Sequence, residues 1–352
     1  MAENSAIEWC DATWTPLRAR NRETGRVGTI CVHKSAGCAN CWAETWGKFR
    51  GTGAPFTPSG LKQVETFLDE KMLTWPLRWR DARKVFVCSQ TDLFGEWWPD
   101  EWIDRVFAVM ALCPQHVFQI TTKRPERMRA YSAEILSLTG RERSLRIATS
   151  MYRDHPAERV VMSGLRRPDA HVGDFPWPLP NAWLGVSVED QATANERIPL
   201  LLETPAAVRW VSYEPALGPV SFAKWLPIRW DAGRQVWQRE REIPWVAGRD
   251  GLSWIVVGGE SGPVARPFDL AWARSTIAQC RAAGVAPYVK QLGSVPMIRE
   301  DEWRAASSAR LLAARNRDRV PVGYVPLALT DRKGGDMAEW PDDLRVREFP
   351  KR

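Results

Sequence analysis

Residues 84–123, KVFVCSQTDLFGEWWPDEWIDRVFAVMALCPQHVFQITTK, carry the reading that decides the fold. KVFVC (84–88) and HVFQITTK (116–123) are short apolar segments rich in β-branched and aromatic residues, and each runs into a polar cluster, as strands do. Between them Pro99 and Asp100 give a helix start signal, and Trp102, Val106, Val109 and Met110 recur at helical spacing. A strand–helix–strand connection of this length favours parallel pairing through a crossover.

The same alternation continues down the chain. AWLGVSVED (182–190), VRWVSYEP (208–215), WIVVGGE (254–260) and PYVKQLG (287–293) read as further strands. DLAWARSTIAQCRAAG reads as an amphipathic helix that opens at Asp269 and stops at Gly284. The expectation is an α/β fold with about six parallel strands, open or curled into a barrel, with room for another strand near the N-terminus. Two stretches break the spacing and read as insertions: 132–181, ending in DFPWPLPNAW, and 221–252, containing REREIPW. From 297 onward the chain reads as an arginine-rich helix, RAASSARLLAARNRDR, followed by an irregular tail.

At 352 residues, 44% hydrophobic and 26% charged, the chain can bury a large core. No apolar run approaches the roughly 18 residues that span a bilayer, and MAENSAIEWCDATW lacks a secretory pattern, so a soluble cytoplasmic protein is expected. No phosphate-binding loop, dinucleotide glycine fingerprint, two-histidine helix motif or nucleophile elbow is present, which disfavours the common nucleotide, zincin and hydrolase chemistries. The net charge of +7 favours polyanionic partners. Twenty tryptophans stand against five tyrosines, and core packing explains them before base stacking does. The arginine-rich runs RERSLR (141–146), LRR (165–167) and ARNRDR (314–319) read first as solvated faces and second as phosphate contacts.

The chemistry of the chain is concentrated in CVHKSAGCANCWAE. Cys31, Cys38 and Cys41 lie within eleven residues, with Gly37 giving the backbone freedom to wrap a bound centre, while Cys88, Cys113 and Cys280 sit alone in apolar surroundings. Clustered cysteines in a chain of this kind point to metal. Three thiolates can hold three irons of a [4Fe-4S] cluster and leave the fourth iron open, and open iron means chemistry. The competing reading is a closed structural zinc site in which Cys10 or His33 completes the set, in a nucleic-acid-binding or partner-binding protein without catalysis.

IEWCDATWTP, GCANCWAE, the stretch from CSQTDLFGEWW to TTKRPERM, AWLGVSVEDQATANERIPLLLETPAAVRWVSYEPALGPV, VVGGESGPVARPFD and VKQLG resemble the phage-associated three-Cys-motif family, over nearly the whole chain. That family is known mainly as a domain of unknown function and resembles radical S-adenosylmethionine enzymes. The resemblance implies a partial (β/α) barrel over 1–296, with the cysteine loop at 31–41 after the first strand, and residues 297–352 packed on it as helix and tail. It further implies an iron–sulfur enzyme that reductively cleaves S-adenosylmethionine, bound through its amino and carboxylate groups to the open iron, with help from an electron donor. The substrate is left open, with nucleic acid or a nucleotide the favoured class. The chain differs from the common radical-enzyme motif in its six-residue first gap and in Trp42, which follows the last cysteine rather than preceding it.

In a parallel barrel the polar residues at the C-terminal strand ends converge on one face. With the cofactor that the resemblance implies, Ser89, Gln90 and Asp92 fall to the methionine end, Ser187 and Glu189 to ribose or carboxylate contacts, and Gly258, Gly259 and Glu260 to the adenosine side. Lys123 would meet the cofactor carboxylate or an anionic substrate, and Glu214 and Lys290 would contact the substrate or move a proton. The structural alternative is that each carboxylate accepts backbone hydrogen bonds or pairs with a neighbour such as Arg209 or Arg266.

Overall fold

The structure is a computed structural model that describes residues 4–139, 142, 176–227, 230–231, 236–237, 251–305 and 317–351. The arginine runs at 141–146 and 165–167 lie outside the described residues, apart from residue 142, as do most of the two expected insertions and residues 306–316.

Seven strands form the principal sheet: β1 (Ala12–Trp14), β2 (Lys84–Val87), β3 (Val117–Thr122), β4 (Ala182–Val188), β5 (Val208–Tyr213), β6 (Trp254–Val257) and β7 (Ala286–Val289). Their order in the sheet is their order in the chain, the singly wound β/α succession that a barrel uses. The six expected strands are all present, and β1 is the additional one near the N-terminus.

The chain divides into two compact units, Met1–Val186 with Glu203–Val208, and Ser187–Leu202 with Arg209–Arg352. In the first unit β1 pairs with β2, β2 with β3 and β3 with β4, all in parallel. Strand β3 buries nearly every side chain, as a strand covered on both faces does. Helix α1 (Trp42–Arg50) follows the cysteine loop, and α2 (Asp100–Leu112) and α3 (Pro125–Ser137) flank β3 in sequence. Tyr131 of α3 donates to the Asp104 carboxylate of α2 at 2.7 Å and stacks on Phe107, so two amphipathic faces meet through one polar and one aromatic contact. A small antiparallel sheet of Val27–Gly28, Leu17–Asn21 and Val64–Leu68 is inserted between β1 and β2.

In the second unit β5, β6 and β7 pair in parallel, and α5 (Leu270–Ala283) precedes β7, after α4 (Gln191–Glu203) earlier in the chain. Helix α5 starts and stops as its sequence requires: the Asp269 side chain accepts from the Ala271 amide at 2.9 Å, and Gly284 closes the helix at φ 65°. The C-terminal stretch is laid along the last strand. The Val289 amide donates to Val346, the Leu292 amide to Gly334 and the Trp254 indole to Glu348, which satisfies an edge that would otherwise be open.

Candidate functional site

The cysteine loop leaves the small antiparallel sheet at Ile30, makes one tight turn at Ala36–Cys38 and enters α1 at Cys41. Two strand-end loops pin it down. Thr91, past the end of β2, donates its hydroxyl to the Ile30 carbonyl at 2.5 Å, and Arg124, just past β3, donates to the Val32 carbonyl at 2.9 Å. The Lys123 ammonium reaches the Ser35 hydroxyl at 3.4 Å and the Cys38 sulfur at 3.6 Å. The loop therefore sits at the C-terminal ends of two neighbouring parallel strands, where α/β folds place their sites.

Beneath it, Asp92 joins the two strand ends. One carboxylate oxygen accepts from the Phe94 amide (3.0 Å) and the Thr122 hydroxyl (2.6 Å), the other from the Lys123 amide (3.0 Å) and the Arg124 guanidinium (3.1 Å). Arg124 also donates to Glu96 at 2.7 Å and lies over the Trp97 ring. Burial is the largest single influence and opposes the charge of this guanidinium, but Asp92, Cys31 and Glu96 together outweigh it and raise the pKa above the ordinary arginine value. Sequence reasoning missed Arg124 and Glu96. Their only sequence signal is position, immediately after TTK and beside the WW pair.

Cys31, Cys38 and Cys41 are half-buried and within electrostatic reach of one another. Burial raises the Cys31 thiol, and Asp92 adds to that effect. Burial also raises the Cys41 thiol, against the pull of the Ala43 and Glu44 amides at the start of α1. Among the described residues, no group of three or more His, Cys, Asp or Glu side chains stands ready at metal-holding distance. Cys10 is committed elsewhere, its sulfur against the Ser5 hydroxyl at 3.2 Å. His33 bonds the Glu44 carboxylate through Nε2 at 3.0 Å, and the Phe56 amide donates to the other Glu44 oxygen. Cys113 and Cys280 are buried, and burial pushes both thiols up to about 12, the behaviour of inert core cysteines.

Ser89 and Gln90 lie half-buried in the turn after β2, which Cys88 enters with a left-handed φ of 55°. In the second unit the structure joins the strand-end residues into pairs. Glu214 and Lys290 form an ion pair at 2.5 Å. Glu189 is fully buried against Arg197 at 3.2 Å, and the same arginine donates to the Ser187 carbonyl. Glu260 accepts three hydrogen bonds from Arg266, one from its amide and two from its guanidinium. Gly259 is needed for packing, because a Cβ there would stand 2.5 Å from the Leu292 carbonyl oxygen, whereas a Cβ at Gly258 would meet the Gln291 carbonyl oxygen at 3.3 Å, a tight contact that a small shift relieves. The carboxylates Asp92, Glu189 and Glu260 are thus all bonded within the protein.

No helix among the described residues is long and apolar enough to cross a membrane. No curated protein and no solved structure matches the chain. Residues 4–321 match the family described as Protein of unknown function (DUF5131), and the chain belongs to that family.

Proposed function

We propose that this protein is an iron–sulfur enzyme of the radical S-adenosylmethionine type, kin to the phage-associated three-Cys-motif proteins it resembles. The observation that carries this reading is the three-thiol loop fastened to the C-terminal ends of β2 and β3, with the Lys123 ammonium 3.6 Å from the Cys38 sulfur. The donor chemistry is of the kind such a cluster uses, although the three side chains do not converge at metal-holding distance in this structure. Three thiols lie in one loop and Cys10 is held in a turn of its own, so Cys31, Cys38 and Cys41 would hold three irons and leave one open. The chemistry such a cluster and S-adenosylmethionine supply together is one-electron cleavage of a sulfonium carbon–sulfur bond, for hydrogen abstraction from a substrate, with the electron drawn from an external donor.

The chain's own residues orient and neutralise. Lys123 sets a cation beside a loop that carries three negative charges when its thiols ionise, and it suits a cofactor carboxylate. Asp92 keeps Lys123 and Arg124 in place, a positioning role. Ser89 and Gln90 remain for polar contacts at the methionine end. In the second unit Glu214 and Lys290 are the residues we assign to substrate contact and proton movement, while Ser187, Glu189, Gly258, Gly259 and Glu260 shape the backbone assigned to the adenosine and ribose.

One observation favours a second reading. The His33–Glu44 pair has the carboxylate-on-imidazole form of a metal-ligating histidine, and with the three cysteines it would close a zinc site in a binding protein without catalysis. Anaerobic reconstitution with iron and sulfide, followed by electron paramagnetic resonance with and without S-adenosylmethionine, separates the two. The expected result is a four-iron signal that shifts with the cofactor, survives Cys10→Ser and His33→Ala, and disappears in Cys41→Ser. A colourless protein with one tightly held zinc, lost in His33→Ala, would overturn the radical reading.

A further inference from the structure

Most of the tryptophan surplus is in the core, as expected: Trp9, Trp14, Trp98, Trp210 and Trp254 are fully buried. Helix α1 breaks this pattern. Trp42 is 52% exposed, Trp46 41% and Phe49 77%, and no other tryptophan whose side chain is described is as exposed. Spacings of four and three residues put the three rings on one face of the helix, about 6 Å and about 4.5 Å apart along the axis. A helix face that exposes its aromatics while burying Ala43, Glu44 and Gly47 holds its apolar side toward solvent.

The charge around this face is not balanced. Residues 18–62 contain eight lysines and arginines (18, 20, 22, 26, 34, 48, 50 and 62) and two acids, Glu23 and Glu44, a net +6 within a chain of +7. Glu44 points inward to His33 and the Phe56 amide and pairs with Lys48 at 3.7 Å, which leaves Lys48, about half exposed, shared between that carboxylate and solvent. The fold brings three of these cations to the aromatics. Gly28 of the small sheet packs so closely on Gly51 and Thr52 that a Cβ would clash, Asn21 bonds the Thr52 carbonyl, and Arg26 donates to the Phe49 carbonyl at 2.7 Å. Arg26, Lys48 and Arg50 thus flank Trp42, Trp46 and Phe49.

We infer that this face of α1 binds a single-stranded polynucleotide, with bases stacked on the three aromatic rings and phosphates on the three cations. Exposed π-faces interleaved with a local cation surplus match unpaired bases on a polyanionic backbone; a protein partner seated on an apolar stripe would not call for the charge. The inference is independent of which metal the cysteine loop holds, although Trp42 follows Cys41 directly and a bound strand would pass beside that loop.

The test is fluorescence anisotropy of labelled oligo(dT) and oligo(U) strands of about 15 nucleotides titrated with the full chain, at salt from about 50 to about 200 mM. Binding of either strand supports the proposal, and the tighter one names the sugar. Three engaged cations give a slope of log affinity on log salt of about −2, falling to about −0.7 in the double variant Lys48→Gln, Arg50→Gln. Trp46→Ala and Phe49→Ala should each weaken binding by about five-fold or more, with unchanged circular dichroism, and Trp46→Leu should not restore it, because a leucine keeps apolar area but offers no π-face. The proposal is overturned if neither strand binds, if the aromatic variants bind as tightly as wild type, or if those variants instead abolish a concentration-dependent dimer seen by sedimentation.

Discussion

Asp92→Asn tests whether one carboxylate holds the cysteine loop from beneath. The substitution keeps the shape and one carbonyl oxygen, but whichever way the amide is turned, its NH2 group faces two of the four donors that Asp92 now satisfies. One orientation confronts the Phe94 amide and the Thr122 hydroxyl; the other confronts the Lys123 amide and the buried Arg124 guanidinium. Two buried donors left unpaired cost about 1 to 3 kcal/mol each, and the loss of a charged acceptor for Arg124 adds to that. Arg124 retains Glu96 and the Val32 carbonyl, which limits the damage, so a destabilisation of about 3 to 4 kcal/mol is expected. Urea unfolding followed by tryptophan fluorescence reads it, taking the transition in which the first unit unfolds. In a cycle with Arg124→Met, the two substitutions should be coupled by about 1.5 kcal/mol or more. A variant within about 1 kcal/mol of wild type, or coupling below about 0.5 kcal/mol, would refute the view that Asp92 anchors the loop.

Burial holds the His116 imidazole below its ordinary value of 6.5, with Nδ1 accepting from the Arg83 amide and Nε2 against the Pro76 carbonyl. The unfolded chain therefore takes up the proton first, and the stability this group contributes is present above about pH 6.5 and is lost as the pH falls toward the folded value. The difference in unfolding free energy between wild type and His116→Gln should shrink from about pH 7.5 to about pH 5.5; a constant difference would sink the assignment. Gly259→Ala should lower stability by about 1 to 3 kcal/mol in thermal unfolding whether or not S-adenosylmethionine is present, since the added methyl group meets the Leu292 carbonyl. Glu189→Ala should cost about 3 to 5 kcal/mol, because Arg197 would remain buried and charged. On the function proposed above, Lys290→Met should abolish turnover by the reconstituted protein while shifting stability by no more than about 2 kcal/mol, and full activity in that variant would remove Lys290 from the proposed site.

The β/α succession could be read from the sequence because its signals are local. KVFVC and HVFQITTK alternate or bury as strands must, Asp269 and Gly284 cap a helix at its two ends, and the three cysteines advertise themselves by spacing. The polar strand-end residues were equally visible as a set, and Arg266, one of two arginines offered as a neighbour for any of those carboxylates, pairs with Glu260. The other partners were not visible. Arg124 lies thirty-two residues beyond Asp92, and nothing in the local pattern of either says that the two strand ends are neighbours.

What the sequence determined by itself is the class of fold, the ends of its elements and the presence of a three-thiol loop, all of which follow from periodicity and spacing within a few residues. Only the tertiary structure decided that Asp92, Glu189 and Glu260 are bonded within the protein, that the C-terminal stretch covers the edge of β7, and that Trp42 and Trp46 stand out in solvent. The physical reason is that a carboxylate or an indole has the same chemistry in every sequence, and its role is set by what the fold brings within hydrogen-bonding or van der Waals reach.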